Sequence, residues 1–302
     1  MAEVSSGGRD LVGYGANPPA VPWPNGARLA VSVVVNYEEG SEYSEAMGDP
    51  TQEALTEFGN YPLPEGYRNL AMESMFEYGS RAGVWRILRL FEETGIASTF
   101  YACAVAFEQN PEVARAVVAG GHEVCSHGWR WEEVFRLSRE EEREHIRLAV
   151  ESFERTCGKR PVGWYCRFGP SVHTRELVVE EGGFLYDSDA YNDDLPYFVD
   201  VGGTRHLVVP YTPDINDFCF WTAPGFLTAD HFYQYMRDSF DTLYAESATC
   251  PKMMSIGLHA RMIGRPGRIA ALARFIAHAQ GHEGVWFATR EEIARHWLEA
   301  AG

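Results

Sequence analysis

Paired cysteines, long apolar runs, an excess of basic charge and a glycine-rich nucleotide turn are all missing from this 302-residue sequence. No window approaches the ~18 consecutive apolar residues of a membrane span, so no membrane partner is expected. Six cysteines (103, 125, 157, 166, 219 and 250) stand singly, with no Cys-x-x-Cys pair. They read as free, mostly buried thiols, and neither Cys125 nor Cys166 has the activating neighbour a thiol enzyme needs. Lys and Arg number 26 against 43 Asp and Glu, a formal net charge of −17. Such a surface repels nucleic acid and anionic membranes and gives no help in attracting an anionic substrate. The start, "MAEVSSGGRDLVGYG", lacks the basic stretch and apolar core of a signal peptide, so a cytoplasmic location is expected. No Gly-x-Gly-x-x-Gly follows the first strand, which removes the usual reason to expect a dinucleotide-binding open sheet.

What is present is a regular alternation of strand and helix patterns. Residues 1–27, rich in Gly and Pro, read as an arm. "RLAVSVVVNY" (28–37) is nearly continuous and β-branched, the pattern of a strand buried on both faces. Residues 40–71 show little periodicity and read as a long loop over one end of the fold. "SRAGVWRILRLFEETG" places Val84, Ile87, Leu88 and Phe91 on one helical face, and Gly95 stops it. "ASTFYACAV", "HEVCSH", "VGWYC", "FLYDSDA", "HLVVP", "MMSIGLHA" and "GVWFAT" read as strands. Between them lie helices opened by Asn110-Pro111, by a Ser138/Glu141 capping box, and in "TRELVVEEGG", "ADHFYQYMRDSFDTLYAESA" and "RIAALARFIAHAQG". No repeat, charge block or linker interrupts the series. It predicts an α/β protein with a single (β/α) barrel over 28–302.

In a barrel the functional groups gather where strands end. The first strand ends in "NYEEG", so Glu38 and Glu39 follow a buried run where a carboxylate needs a reason; the plain alternative is a solvated acidic turn. The third ends in "CSHGWRW", with His127 beside Trp129 and Trp131. The penultimate ends in "GLHARMIGRPGR", with His259 and Arg261. Weaker strand-end candidates are Arg167 in "CRFGPS" and Asp187 in "LYDSDAYNDDLPY", where Asp193 and Asp194 read as a turn. In "MESMFEYGSRAG", Glu73 is a further candidate, while Glu77 and Arg81 read as a surface ion-pair ladder.

Taken in order, these motifs resemble the NodB-type polysaccharide deacetylase superfamily: an acidic pair after the first strand, His-x-x-x-His, an Arg-to-Pro segment, an Asp-containing turn and Leu-x-x-His. The corresponding residues here are Glu38-Glu39, His127 with Trp131, Arg167 to Pro170, Asp187, and Leu258-His259. Long stretches ("RDLVGYGANPP", "VNYEEG", "MESMFEYGSRAGVWR", "GHEVCSHGWRW", "GGFLYDSDAYNDDLPY", "SIGLHARMIGRPGR", "IARHW") are most similar to the metal-independent, PuuE-type allantoinases. The resemblance implies a distorted (β/α) barrel, purine-ureide metabolism in the cytoplasm, a small cyclic amide or ureide substrate, no cofactor and a homotetramer. It also implies catalytic roles for Glu38, Glu39, His127 and His259, and substrate contacts from Tyr37, Glu73, Trp131, Arg167, Asp187 and Arg261. One loop departs from the allantoinase pattern: "WYCRFGPSVHTR" has Arg167 shifted and His173 added, so cyclic imides remain alternatives to allantoin.

In that resemblance Glu39 takes the position of a metal-ligating aspartate and His127 that of the first histidine. Trp131 stands where the second imidazole would be and offers no lone pair. Two ligands fall short of the three a catalytic zinc normally has, so no tightly held metal is expected; if one were bound, Glu39 and His127 would hold it. Water would be activated by a carboxylate whose pKa burial against Trp131 raises, with Trp131 as a platform for a flat ring and Arg167 or Arg261 forking onto a carbonyl. A metal-dependent N-deacetylase of sugars, with Asp187 or Glu73 as replacement ligand, is the alternative.

Overall fold

The first strand, β1 (Leu29–Tyr37), is buried along its whole length and carries partners on both edges. The computed structural model describes residues 8–57, 64, 66–167, 169–223 and 225–301. Parts of the expected arm (1–7) and of the 40–71 loop (58–63 and 65) therefore lie outside the described residues. After β1 come α1 (Leu70–Tyr78), α2 (Val84–Thr94), β2 (Thr99–Ala102), α3 (Ala104–Gln109), α4 (Pro111–Ala119), β3 (Glu123–Ser126), α5 (Arg139–Cys157), β4 (Gly163–Trp164), α6 (Thr174–Glu181) and β5 (Tyr186–Asp187). The chain continues through β6 (Tyr197–Val201), β7 (Thr204–Val208), α7 (Ala229–Glu246), β8 (Lys252–His259), α8 (Ala260–Ile263), α9 (Pro266–Gln280), β9 (Val285–Phe287) and α10 (Arg290–Ala300).

The strands form one curled sheet in the order β6-β7-β5-β4-β3-β2-β1-β8, parallel except for the β6–β7 hairpin. β8 runs along one edge of β1 from Leu29↔Lys252 to Asn36↔His259. The other edge is shared, with β9 beside Leu29–Val31 and β2 beside Val34–Tyr37. Parallel neighbours need crossover helices, and the apolar faces of those helices pack on the sheet; hence β1 is apolar on both sides rather than alternating. Val84, Ile87 and Phe91 are buried on α2 as the spacing predicts, as are Ile146, Ala149, Val150 and Phe153 on α5. The expected Asn110 cap and Ser138/Glu141 capping box are both formed.

The barrel is distorted because no ladder joins β7 to β8. Residues 209–216 fill that gap: the Gly257 N–H donates to the Ile215 carbonyl at 2.8 Å, with a single bridge between Asn216 and Gly257. Arg290, fully buried at the start of α10, ties the gap from within. It donates to Ser188 Oγ (3.0 Å), Ser255 Oγ (2.8 Å) and the carbonyls of Val209 and Pro210. Below the barrel, Trp23 of the arm donates to the Lys252 carbonyl at 2.8 Å and packs against Trp286 and Trp297.

Three local expectations change. The helix expected from residue 80 begins at Leu70, because α1 and α2 join through a π-helical turn, Gly79–Gly83. The end of "ASTFYACAV" is helical, since Ala104 opens α3. β6 was not expected; its signal is the Gly202-Gly203 pair, whose φ values of 60° and 87° make the two-residue turn of a hairpin.

Gly83 shows how tightly this layer is built. A Cβ there would overlap the Ala260 carbonyl oxygen, and the Gly264 Cα lies close behind it. Gly83→Ala should therefore lower stability, and with it the melting temperature, because the ~1–3 kcal/mol cost of overpacking outweighs the ~0.5–1 kcal/mol that alanine normally adds to a helix. Gly267, with open space around it in α9, is the control, and Gly267→Ala should be neutral or stabilising. A Gly83→Ala protein at least as stable as the parent would refute the close approach.

Candidate active site

The strand ends deliver their side chains to one rim. β1 brings Asn36, Glu38 and Glu39, β3 brings His127, β4 brings Tyr165 and Arg167, and β8 brings His259. The gap-filling segment adds Tyr211 and Asn216, with Asp217 next to them. Along β1 the strand alternation continues into the turn. Asn36 and Glu38 line a cavity of about 420 Å³, while Tyr37 and Glu39 point away from it. A tight turn, with the Ser41 N–H and Oγ both donating to the Glu38 carbonyl, keeps both carboxylates inside; each is 2% exposed or less.

Glu38 is the centre of the site. Its Oε1 lies 3.3 Å from His127 Nε2 and 3.6 Å from His259 Nε2, and its Oε2 lies 2.7 Å from Arg261 Nη2. The contact with Arg261 is an ion pair without hydrogen-bond alignment. The far nitrogen of each imidazole is committed. His127 Nδ1–H donates to the Tyr165 carbonyl at 2.9 Å, and His259 Nδ1–H to Asp217 Oδ1 at 2.7 Å. Asp217, fully buried, also accepts the backbone N–H groups of His259 and Ile263. Both Nε2 atoms thus turn toward one carboxylate oxygen.

The two glutamates are driven apart in acidity. Burial opposes ionisation of Glu38, but Arg261, His259 and His127 together outweigh it and hold the carboxyl below the usual carboxylate range. Burial dominates at Glu39 and pushes it up to about 7, opposed by Arg261 and reinforced by the Glu38 charge. Glu39 lies under the π turn, where a Cβ on Gly79 would overlap its Oε1, and it accepts the N–H groups of Glu38 and Arg261.

The geometry brings some of the expected site residues together and sets others apart. Glu38, not Glu39, faces His127, so the Glu39/His127 ligand pair does not form. The carboxylate at the cavity is held charged, and the one with the raised pKa is turned away from it. Arg261 is fully buried behind Glu38, against the Phe76 ring at 4.3 Å, and does not line the cavity. Arg167 does line it, stacked 3.8 Å over Trp131, but its fork is closed on Glu53 at 2.7 and 3.1 Å. Trp131 is a cavity wall with a guanidinium already on its ring. Asp187 is buried elsewhere, bound by Arg175 and His206. Glu73 pairs with Arg68 outside the cavity, and the Tyr37 hydroxyl meets Ser80. Glu77 and Arg81 form the expected exposed ion pair. Asp217, Tyr165 and Tyr211 were not singled out. Residues 209–218 carry no periodicity, and nothing local links Asp217 to a histidine 42 residues away.

The donor set does not suit the divalent metal of metallodeacetylases. Trp131 offers no lone pair, and Arg261, a fixed buried cation, stands 2.7 Å from the second oxygen of Glu38, the one carboxylate lining the cavity among the described residues.

Glu39 generates a pH prediction. Its folded pKa is raised, so its contribution to stability is full below the unfolded value near 4.5 and is lost as pH rises through about 7. Glu39→Gln removes that titration. The stability of the variant relative to the parent should rise between pH 5 and pH 8, on the order of 1–3 kcal/mol by denaturant titration. A difference that stays flat would mean that Glu39 ionises as it would in water.

Comparison with known proteins agrees with this architecture. The polysaccharide deacetylase family model matches residues 70–185. A Schizosaccharomyces pombe protein named "Putative polysaccharide deacetylase" is 44% identical over 96% of this chain and 96% of its own length. The crystal structure of a probable polysaccharide deacetylase from Pseudomonas aeruginosa PAO1 aligns with a TM-score of 0.93 and 53% identity, covering 97% of this chain and 98% of that one. The Puue allantoinase structure aligns equally well, with a TM-score of 0.93, 52% identity and 97% of each chain covered. This chain belongs to the polysaccharide deacetylase family and is a hydrolase of the deacetylase and allantoinase type, acting on carbon–nitrogen bonds.

Proposed function

We propose that this hydrolase opens the ring of a small cyclic amide, with allantoin or a related ureide of purine catabolism as its substrate, and that it does so without a metal. The observation that carries the reading is Arg261. A buried guanidinium holds the Glu38 charge that a metal would neutralise in a metallodeacetylase. The cavity supports it further, since about 420 Å³ walled by Leu55, Trp131, Tyr165, Tyr211, Pro213 and Phe218 suits a small, flat ring. The Puue allantoinase, at 52% identity, is the relative whose name points to such a substrate.

The two imidazoles divide the work. His259, set between Glu38 and Asp217, is the proton donor. His127, whose Nδ1–H is fixed on a neutral carbonyl, takes the proton from the attacking water. The imidazolium so formed lies 3.3 Å from Glu38 Oε1, which stabilises it. The Tyr211 hydroxyl accepts from Asn36 Nδ2 at 3.1 Å and has its own proton to give to the tetrahedral oxyanion. His259 Nε2 then protonates the departing nitrogen as the C–N bond breaks. Glu38 is thus an electrostatic anchor for both imidazoles, and Glu39 lies behind it as a structural carboxyl. The functional assembly is a homotetramer of the allantoinase type in the cytoplasm, testable by light scattering of the purified protein.

Two measurements test this reading. Protein dialysed against a chelator should hydrolyse allantoin, hydantoin or a cyclic imide with undiminished kcat. Stoichiometric zinc whose removal abolishes turnover, or turnover of N-acetylated sugars alone, would establish the metallodeacetylase reading instead. In the same assay, Glu38→Gln, His259→Ala and Asp217→Asn should each lower kcat by about 10²–10⁴, the scale of lost acid–base help, whereas Glu39→Gln should lower it by less than about 10-fold. Equal losses in the two glutamine variants would contradict the separate roles given to the glutamates.

A further inference from the structure

A second set of ligating side chains lies in the helical layer. α9 ends in a sequence that carries His278 and, one helical turn on, His282, and α7 packs Asp241 against them. One ligand atom from each of the three lies within 4.8 Å of the other two; among the described residues no other such trio of His, Cys, Asp or Glu occurs. We propose that Asp241, His278 and His282 form a binding site for one divalent transition-metal ion of the zinc class, bracing α7 against α9.

His282 argues most strongly. The His282 ring is wedged edge-on between Phe240 (5.1 Å) and Tyr244 (4.9 Å), and its Nδ1–H donates to the His278 carbonyl at 2.9 Å. Tyr244 is itself pinned, by its hydroxyl on the Glu283 carbonyl and by the Arg28 guanidinium 3.9 Å over its ring. That arrangement fixes the tautomer and leaves Nε2 with its lone pair, as a backbone carbonyl commonly does for a metal-bound histidine. The ring of His278 stands 4.7 Å from that of His282, and its Nε2 is 2.8 Å from Asp241 Oδ1. As an ordinary ion pair, half-exposed His278–Asp241 would contribute little, and it would leave the ordered His282 lone pair without a use. A tetrahedral zinc with bonds of ~2.0–2.1 Å sets its ligand atoms about 3.3 Å apart, within reach of small rotations of these side chains. Two imidazoles and a carboxylate with a fourth position left to water suit zinc, cobalt, nickel or copper rather than calcium or magnesium.

The site is remote from catalysis. Asp241 lies toward the end of the helix before β8, and the histidines lie at the end of the helix before β9. All three therefore sit at the rim where strands begin, roughly 25 Å, the length of β8, from the rim where they end. The metal is a stabilising brace, and it takes no part in turnover.

The test uses tag-free, chelator-stripped protein titrated with Zn²⁺ by calorimetry and with Co²⁺ by visible absorption. One ion per chain should bind, the melting temperature should rise with metal concentration, and kcat should not change. Affinity should fall at least about 10-fold in His278→Ala, His282→Ala and Asp241→Asn, and it should fall as pH is lowered, because protons compete with the metal for the ligand atoms. Asp241→Asn alters an exposed side chain, so it reads out affinity even if a histidine variant folds poorly. Absence of binding, full affinity in a His278→Ala/His282→Ala double variant, or loss of the bound ion in His127→Ala instead would each overturn the proposal.

Discussion

The ion pair between Glu38 and Arg261 is the constraint on which the rest of the site depends. Both groups are excluded from water, and either one left alone would be a buried, uncompensated charge costing several kcal/mol. Arg261 is held in place by its surroundings: the Phe76 and Trp131 rings flank it, and its own backbone N–H donates to Glu39. Glu38 in turn draws the Nε2 atoms of two imidazoles to one oxygen. Burial makes the second glutamate the weaker acid, so adjacent residues in the chain differ in acidity.

The imperfect closure of the barrel supplies the remaining parts of the site. A full ladder between β7 and β8 would leave no room for residues 209–218. The interrupted one admits a segment that brings Tyr211, Asn216 and Asp217 to the cavity. Arg290 makes the interruption tolerable by hydrogen-bonding the buried carbonyls of Val209 and Pro210 at its inner edge. The same loop anchors His259 through Asp217, so the interruption in the sheet and the hold on this histidine are structurally linked.

Glycine is used at two close approaches on the outer side of β1. Gly79 makes space for Glu39 beneath the π turn, and Gly83 lets that helix lie directly on the backbone of α8. The turn between them widens the helix where it passes over the acidic pair, which is why a helix read as starting at residue 80 extends a further ten residues.

The sequence by itself determined much of this protein: the strand–helix alternation, the doubly buried β1, the caps of α4 and α5, and the strand-end positions of Glu38, His127 and His259. Those features are local, because hydrophobic period and capping chemistry act within a few residues. Other features were decided only by the tertiary structure. Which glutamate meets the histidines followed from the strand's alternation continuing through the turn at Gly40. Whether Arg167 and Arg261 reach a substrate depended on partners 114 and 223 residues away, Glu53 and Glu38. Asp217 could not be seen in the sequence for the same reason. Its role comes from a hydrogen bond to His259 across a gap in the barrel, and no spacing in the chain encodes which strands fail to pair.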